Sequence, residues 1–288
     1  MVGVKVQNPS AERAATQRLV KANGGNQAAQ ILAKASRPGT AAPDKLAALL
    51  EAAQLTQTAI PGSAGQQINR AATAGIVSLM AAEDFAPVRL PDGRVLAVAG
   101  ESRGTLDPRK AGELVAATSI RIKKLRVRTV QEGAGVPYVA RFGPKSPVLV
   151  GQPGISPLAG ICEPVTALVR FDGHSPRLVF YRTAKDDIAL VGGKKVKLAA
   201  DFSAPLAYMV SKGRNRMMDV RALIRSDKNM SHAGLYQFSS YDPEKIPVVF
   251  VHGLMSRPET WVPAVNQLMA DEQVRERYQF WFFLYPTG

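Results

Sequence analysis

Over the first 82 residues, apolar side chains recur every third or fourth position, the period of a helix with one buried face. Ala15, Leu19 and Ala22 form one stripe, and Ala28, Ile31, Leu32 and Ala35 a second, closed by Arg37-Pro38-Gly39. Leu46, Leu49, Leu50 and Ala53 make a third, with Pro43 placed to open it. Ile68, Ala72, Gly75, Ile76 and Leu79 make a fourth that ends before Asp84 and Phe85. Two successive helical hairpins suggest a tetratricopeptide-like pair. Such solenoids need three or more repeats and the internal similarity is weak, so residues 1–84 read as a plain helical region.

The period then shortens. Val88-Arg89-Leu90 and Arg94 to Val98 flank Pro91-Asp92-Gly93, Thr166 to Phe171 and Arg177 to Tyr181 flank Asp172-Gly173, and Ile188 to Val191 and Lys195 to Leu198 flank Gly192-Gly193. Repeated strand–turn–strand units predict an antiparallel β-rich domain over residues 85–200. Asp107-Pro108 is placed to open a short helix running to about Ala117. Beyond residue 200 the pattern is mixed. Pro205 to Val210 and Met217 to Ile224 read as helices, and Leu235 to Phe238 and Val248 to Val251 as strands. Trp261 to Ala270 reads as an amphipathic helix with Trp261, Val265, Leu268 and Met269 on one face; Thr260 is its expected cap, which leaves Pro263 in the first turn. Tyr278 to Tyr285 is apolar on both faces, as in the middle of a parallel sheet.

Composition narrows the class. With 46% hydrophobic residues in 288, sizeable cores can be buried and a disordered chain is excluded. The net charge is +14, and the excess is concentrated between residues 101 and 200. Its centre is Arg121-Ile122-Lys123-Lys124-Leu125-Arg126-Val127-Arg128, where neither strand face is purely basic. That reads as a solvated or bulged edge strand that uses charge against aggregation. No aromatic is interleaved for base stacking, so nucleic acid is disfavoured as a partner, with a peripheral anionic membrane surface as the alternative.

The lone Cys162 excludes an intramolecular disulfide, and His174, His232 and His252 are too scattered for a zinc-type cluster, so no cofactor or metal is expected. Cys162 reads as a small core residue, His174 as a hairpin-tip surface residue and His232 as a loop residue. The longest uncharged apolar stretch, Ala71 to Ala82, is shorter than the roughly 20 residues of a membrane span. MVGVKVQNPS carries no apolar export segment, which makes the cytoplasm the default compartment and the cell envelope the alternative if the N-terminus is incomplete.

One segment carries chemistry. Ile246-Pro247-Val248-Val249-Phe250-Val251 is a strand that delivers His252-Gly253-Leu254 into a turn before a helix. In that layout the N–H of Leu254 points at the oxygen of a tetrahedral intermediate, the glycine permits close approach and His252 shapes the turn. With YDPEKIPVVFVHGLMSRPETW and RYQFWFFLYPTG, the segment from Gly234 to Gly288 resembles the opening of a bacterial α/β-hydrolase domain of the lipase and esterase type. The resemblance implies that residues 201–288 are the first part of such a domain, that the substrate is an ester or other acyl compound, and that the oxyanion loop is His252, Gly253 and Leu254. It also implies a nucleophile in a later G-x-S-x-G elbow, then an acid and a histidine. No histidine follows His252, so no catalytic residue of the triad lies in this chain, and the triad is expected beyond Gly288. Gly100-Glu101-Ser102-Arg103-Gly104 matches G-x-S-x-G, yet it precedes the His-Gly loop and does not run into a helix, so it reads as a hairpin turn. The expected whole is multidomain: a helical region, a central antiparallel β domain and the first part of an α/β-hydrolase domain, inactive by itself. The alternative is a non-enzymatic envelope binding or structural module. Lacking the nucleophile-bearing neighbour strand, the run Phe280 to Leu284 is expected to flank an unpaired sheet edge.

Overall fold

A computed structural model describes residues 3–102, 104–123, 125–143, 145–146, 149, 160–171, 175–213, 234–253 and 258–285. Four helices open it: α1 (Pro9–Ala22), α2 (Gln27–Ala35), α3 (Ala42–Leu55) and α4 (Ala64–Ala82). Polar caps set three of the starts. Asn26 accepts from the Ala28 N–H at 2.9 Å to begin α2, and Asn8 and Ser63 serve α1 and α4 in the same way.

The centre is a curled seven-stranded sheet in the order β2-β3-β10-β9-β8-β5, with β4 also on β10. Its strands are β2 (Val88–Arg89), β3 (Val95–Val98), β4 (Thr105–Leu106), β5 (Glu113–Ala116), β8 (Val136–Phe142), β9 (Ile161–Arg170) and β10 (Arg177–Arg182). All pairings are antiparallel except β3 with β10. Gly135 enters β8 at φ 84°, where a side chain would start 2.7 Å from the Ala167 carbonyl oxygen, so glycine is required there. Short pairs surround the sheet: β1 (Gly3–Val6) with β6 (Ile120–Lys123), β7 (Val130–Gln131) with β13 (Ala200–Asp201), and the hairpin β11 (Ile188–Val191) with β12 (Lys194–Lys197).

Both faces of the central sheet are covered. One core joins Leu32, Leu50, Ile68, Ile76 and Met80 of the helices to Phe142, Val165, Ala167 and Phe180 of the sheet. On the opposite face Val139 and Cys162 meet Ala204, Ala207 and Tyr208 of α5 (Ser203–Gly213). That second core continues into a three-stranded sheet of order β14-β16-β15, built from β14 (Gly234–Gln237), β15 (Ile246–Val251) and β16 (Tyr278–Leu284), with α6 (Val262–Leu268) packed on it through Val262 and Val265. Helix α7 (Glu272–Arg277), capped by Asp271, leads into β16. Among the described residues no helix is long and apolar enough to cross a membrane.

These packings overturn the expected architecture. In place of a helical region, a central β domain and the first part of an α/β-hydrolase domain, the chain is a mixed α/β structure with seven helices and several small sheets among the described residues. The helices share a core with the curled sheet, and the only sheet near the His-Gly loop has three strands. Strand β16 is antiparallel to β14 and parallel to β15, so it lies between two partners in a mixed sheet, and Phe280 to Leu284 are not its edge.

Smaller expectations also fail. Asp107-Pro108 opens one tight turn, Pro108–Lys110, and not a helix to Ala117. The Gly112 N–H is taken by the Arg141 carbonyl at 2.8 Å, and β5 then follows alongside β8. Helix α6 is preceded by a separate turn, Pro258–Trp261; Trp261 stands at its cap position in place of Thr260. Its inward face is Val262, Val265 and Asn266, with Leu268 exposed, because a buried polar network holds Asn266. The predicted helix Met217 to Ile224 lies outside the described residues.

Candidate functional site

His252 and Gly253 follow directly on β15, and Tyr285 follows on the adjacent β16. Parallel pairing of the two strands, with Val251 opposite Phe283, brings both strand ends to one place. The His252 ring is buried and stacks on the Tyr285 ring, centroids 4.7 Å apart and planes 19° apart. The Tyr285 hydroxyl donates to the His252 carbonyl at 2.7 Å, and the Tyr285 N–H reaches Nε2 at 3.5 Å. Nδ1 lies 3.1 Å from the Gly253 carbonyl. Both contacts are satisfied together when Nδ1 donates to Gly253 and Nε2 accepts from Tyr285. These contacts hold the His252 ring at the end of β15.

Gly253 is exposed, and a methyl group built on it would meet nothing within 4 Å. Leu254, whose N–H is the expected oxyanion donor, lies outside the described residues, as do His174 and His232.

The other residues singled out from the sequence are not brought to this place. Ser102 sits in an exposed turn, its hydroxyl 2.9 Å from the Thr105 hydroxyl and its N–H donating to the same oxygen. It bridges back to Thr105 and no helix follows it. Cys162 is buried in β9, and burial pushes its thiol well above the usual range, so it is protonated and inert as a nucleophile. Among the described residues no three His, Cys, Asp or Glu side chains come together as a metal site.

The basic run divides in two. Arg121 and Lys123 stand on the outer face of the β1–β6 ribbon, opposite the inward Val4 and Ile122. Arg128, though exposed, is tied to the surface beneath it: Nε donates to Asp201 at 2.7 Å, and its other nitrogens donate to the carbonyls of Ile120 at 3.0 Å and Ala117 at 2.7 Å. Asp201 also accepts from the N–H groups of Ser203 and Ala204, capping α5. The Ser203 hydroxyl donates to Asn266 at 2.6 Å, and the Asn266 amide donates to the Val127 carbonyl at 2.9 Å. The run is exposed, as a solvated edge would be, and its end also ties α5 to α6 through Arg128 and the Val127 carbonyl. Lys5, alternating between Val4 and Val6, was the local signal for β1, the partner strand that sequence reasoning missed.

No family model, curated protein or solved structure matches this chain.

Proposed function

We propose that the strand–His252–Gly253–Leu254 segment supplies an oxyanion-stabilising loop to a serine hydrolase acting on carboxylic esters or related acyl compounds. The observation that carries this reading is the held His252: a buried ring in contact with Gly253 and Tyr285 stands at the end of a strand, beside an exposed glycine. Such a turn presents backbone N–H groups to developing negative charge without a reorganisation cost at the moment of reaction. The nucleophile, acid and base are not among these 288 residues in the required order, because no histidine follows His252. By itself the chain does not turn over an ester on this reading.

A serine-directed fluorophosphonate should therefore label no residue of the 288-residue chain, Ser102 included; stoichiometric labelling at any serine contradicts the reading. In a longer polypeptide that carries the missing triad, replacing Leu254 with proline removes the amide donor. The expected result is a loss of roughly 100- to 1,000-fold in kcat, as for other single oxyanion donors.

A second reading has its own support. The three-stranded sheet shares a core with α5 and the far face of the central sheet, so the segment is built into the fold. That is what a binding or structural module without chemistry requires. An unchanged kcat in the Leu254→Pro polypeptide would favour it.

A further inference from the structure

Strands β1 and β6 form an antiparallel ribbon whose residues alternate between two faces. Val4 and Ile122, opposite one another, pack against the core that holds Ala204 and Ala207 of α5. The outer face carries Lys5 and Arg121, also directly opposite, with Lys123 two residues further along it, about 7 Å at the usual strand rise. All three are exposed, as is Arg126 just beyond β6.

Their charge is not cancelled. Among the described residues none of Lys5, Arg121, Lys123 and Arg126 has a carboxylate at ion-pairing distance. The acidic groups of the adjoining elements are committed, Asp201 to Arg128 and Glu113 to Arg141 and Lys212. Helix α5, which packs under the ribbon, has Lys212 as its only charged residue. Arg121 faces the Gln7 amide, a neutral partner. Like charges directly opposite across a ribbon repel and weaken it, so this arrangement costs the isolated protein stability that an anion on the outer face restores.

We propose that this face docks on an anionic phospholipid surface. Charge complementarity selects an anionic partner, and the apolar residues of the same stretch of chain select lipid over nucleic acid. Val127 is 48% and Val130 56% exposed, whereas no aromatic side chain lies between Ile120 and Gln131 for bases to stack on. On a membrane, lysine and arginine pair with the headgroup phosphates while exposed aliphatic side chains enter the boundary with the acyl chains. No residue of the His252 loop takes part, so the proposal stands or falls apart from the reading of that loop.

Vesicle sedimentation with the whole chain tests it. At about 0.1 M salt the chain should pellet with phosphatidylcholine vesicles containing about 30% phosphatidylserine and stay in solution with phosphatidylcholine alone. Each cation near such a surface is worth about fivefold in binding, so Arg121→Gln/Lys123→Gln should weaken binding about 30-fold. Because it removes a like-charge pair, this variant should unfold at the same urea concentration as the native chain or a higher one. Arg121→Lys/Lys123→Arg, which keeps the charge, should bind within about twofold of the native chain. Lys194→Gln/Lys195→Gln removes the same charge from the exposed end of the β11–β12 hairpin and should change binding less than about twofold. Three results would overturn the proposal. One is no sedimentation with the phosphatidylserine vesicles, and another is an equal loss from both glutamine variants, which would mean net charge alone. The third is tighter binding, per phosphate, to a single-stranded or duplex oligonucleotide than to the vesicles at the same salt.

Discussion

Strands β9 and β15 both read as apolar runs, yet they live in different surroundings. From Ile161 to Val169 every side chain of β9 is buried, although the strand contains Glu163 and Thr166. In β15, which has no charged residue, only Val248 and Phe250 turn toward a core, while Val249 is 44% and Val251 52% exposed. The difference is what covers each face. The central sheet has helices on one side and α5 with the C-terminal sheet on the other; the C-terminal sheet has α5 and α6 on one side, while on its other side Trp281 is buried beside the Tyr241 ring and Val249 and Val251 stay exposed. Hydrophobicity along a strand therefore measures what could be buried. What is buried depends on the layers that arrive from distant parts of the chain.

If that contrast is correct, the largest effect belongs to the doubly covered sheet. Glu163→Ala leaves the Arg182 guanidinium buried and unpaired and should cost about 3–5 kcal/mol in urea-induced unfolding, with Glu163→Gln costing less. A cost below about 1 kcal/mol would mean that water reaches the pair. Next is the clamp: Asp201→Ala removes the cap of α5 and the partner of Arg128, and should cost about 1–2 kcal/mol.

Acid stability gives a smaller effect. Burial raises the Glu113 carboxyl, but hydrogen bonds from Lys212 and Tyr208, with the charges of Lys212 and Arg141, outweigh it and hold the group below its ordinary value of 4.5. A carboxyl depressed in the folded state stabilises the fold above its unfolded pKa, and that contribution is lost as pH falls through the lower folded value. Glu113→Gln should therefore flatten the stability–pH curve below about pH 4.5. The smallest effect is expected on the open face. Val249→Thr should change stability by less than about 0.5 kcal/mol, and a larger loss would show that this face is covered.

The helices and hairpins were legible because their signals are local. Period, proline and asparagine positions, and Gly192-Gly193 suffice to place α2 to α4 and the β11–β12 hairpin. The layering was not, because it rests on pairs far apart in sequence: Arg128 with Asp201, Ser203 with Asn266, and β1 with β6. A basic run carries no mark that its last arginine pairs with Asp201. Of the candidate loop, His252 and Gly253 could be singled out from the strand-to-turn pattern. Tyr285 as the lock could not, since its part depends on β16 lying parallel to β15.

Native-state hydrogen exchange on the intact chain tests the central claim most directly, namely that the C-terminal sheet is built onto the far face of the central one. Amides of β16, paired on both sides, should exchange as slowly as those of β9, while the outward amides of β15 exchange much faster. Exchange of β16 at the rate of a loop, with β9 still protected, would contradict the shared core and with it the fixed geometry of the His252 turn.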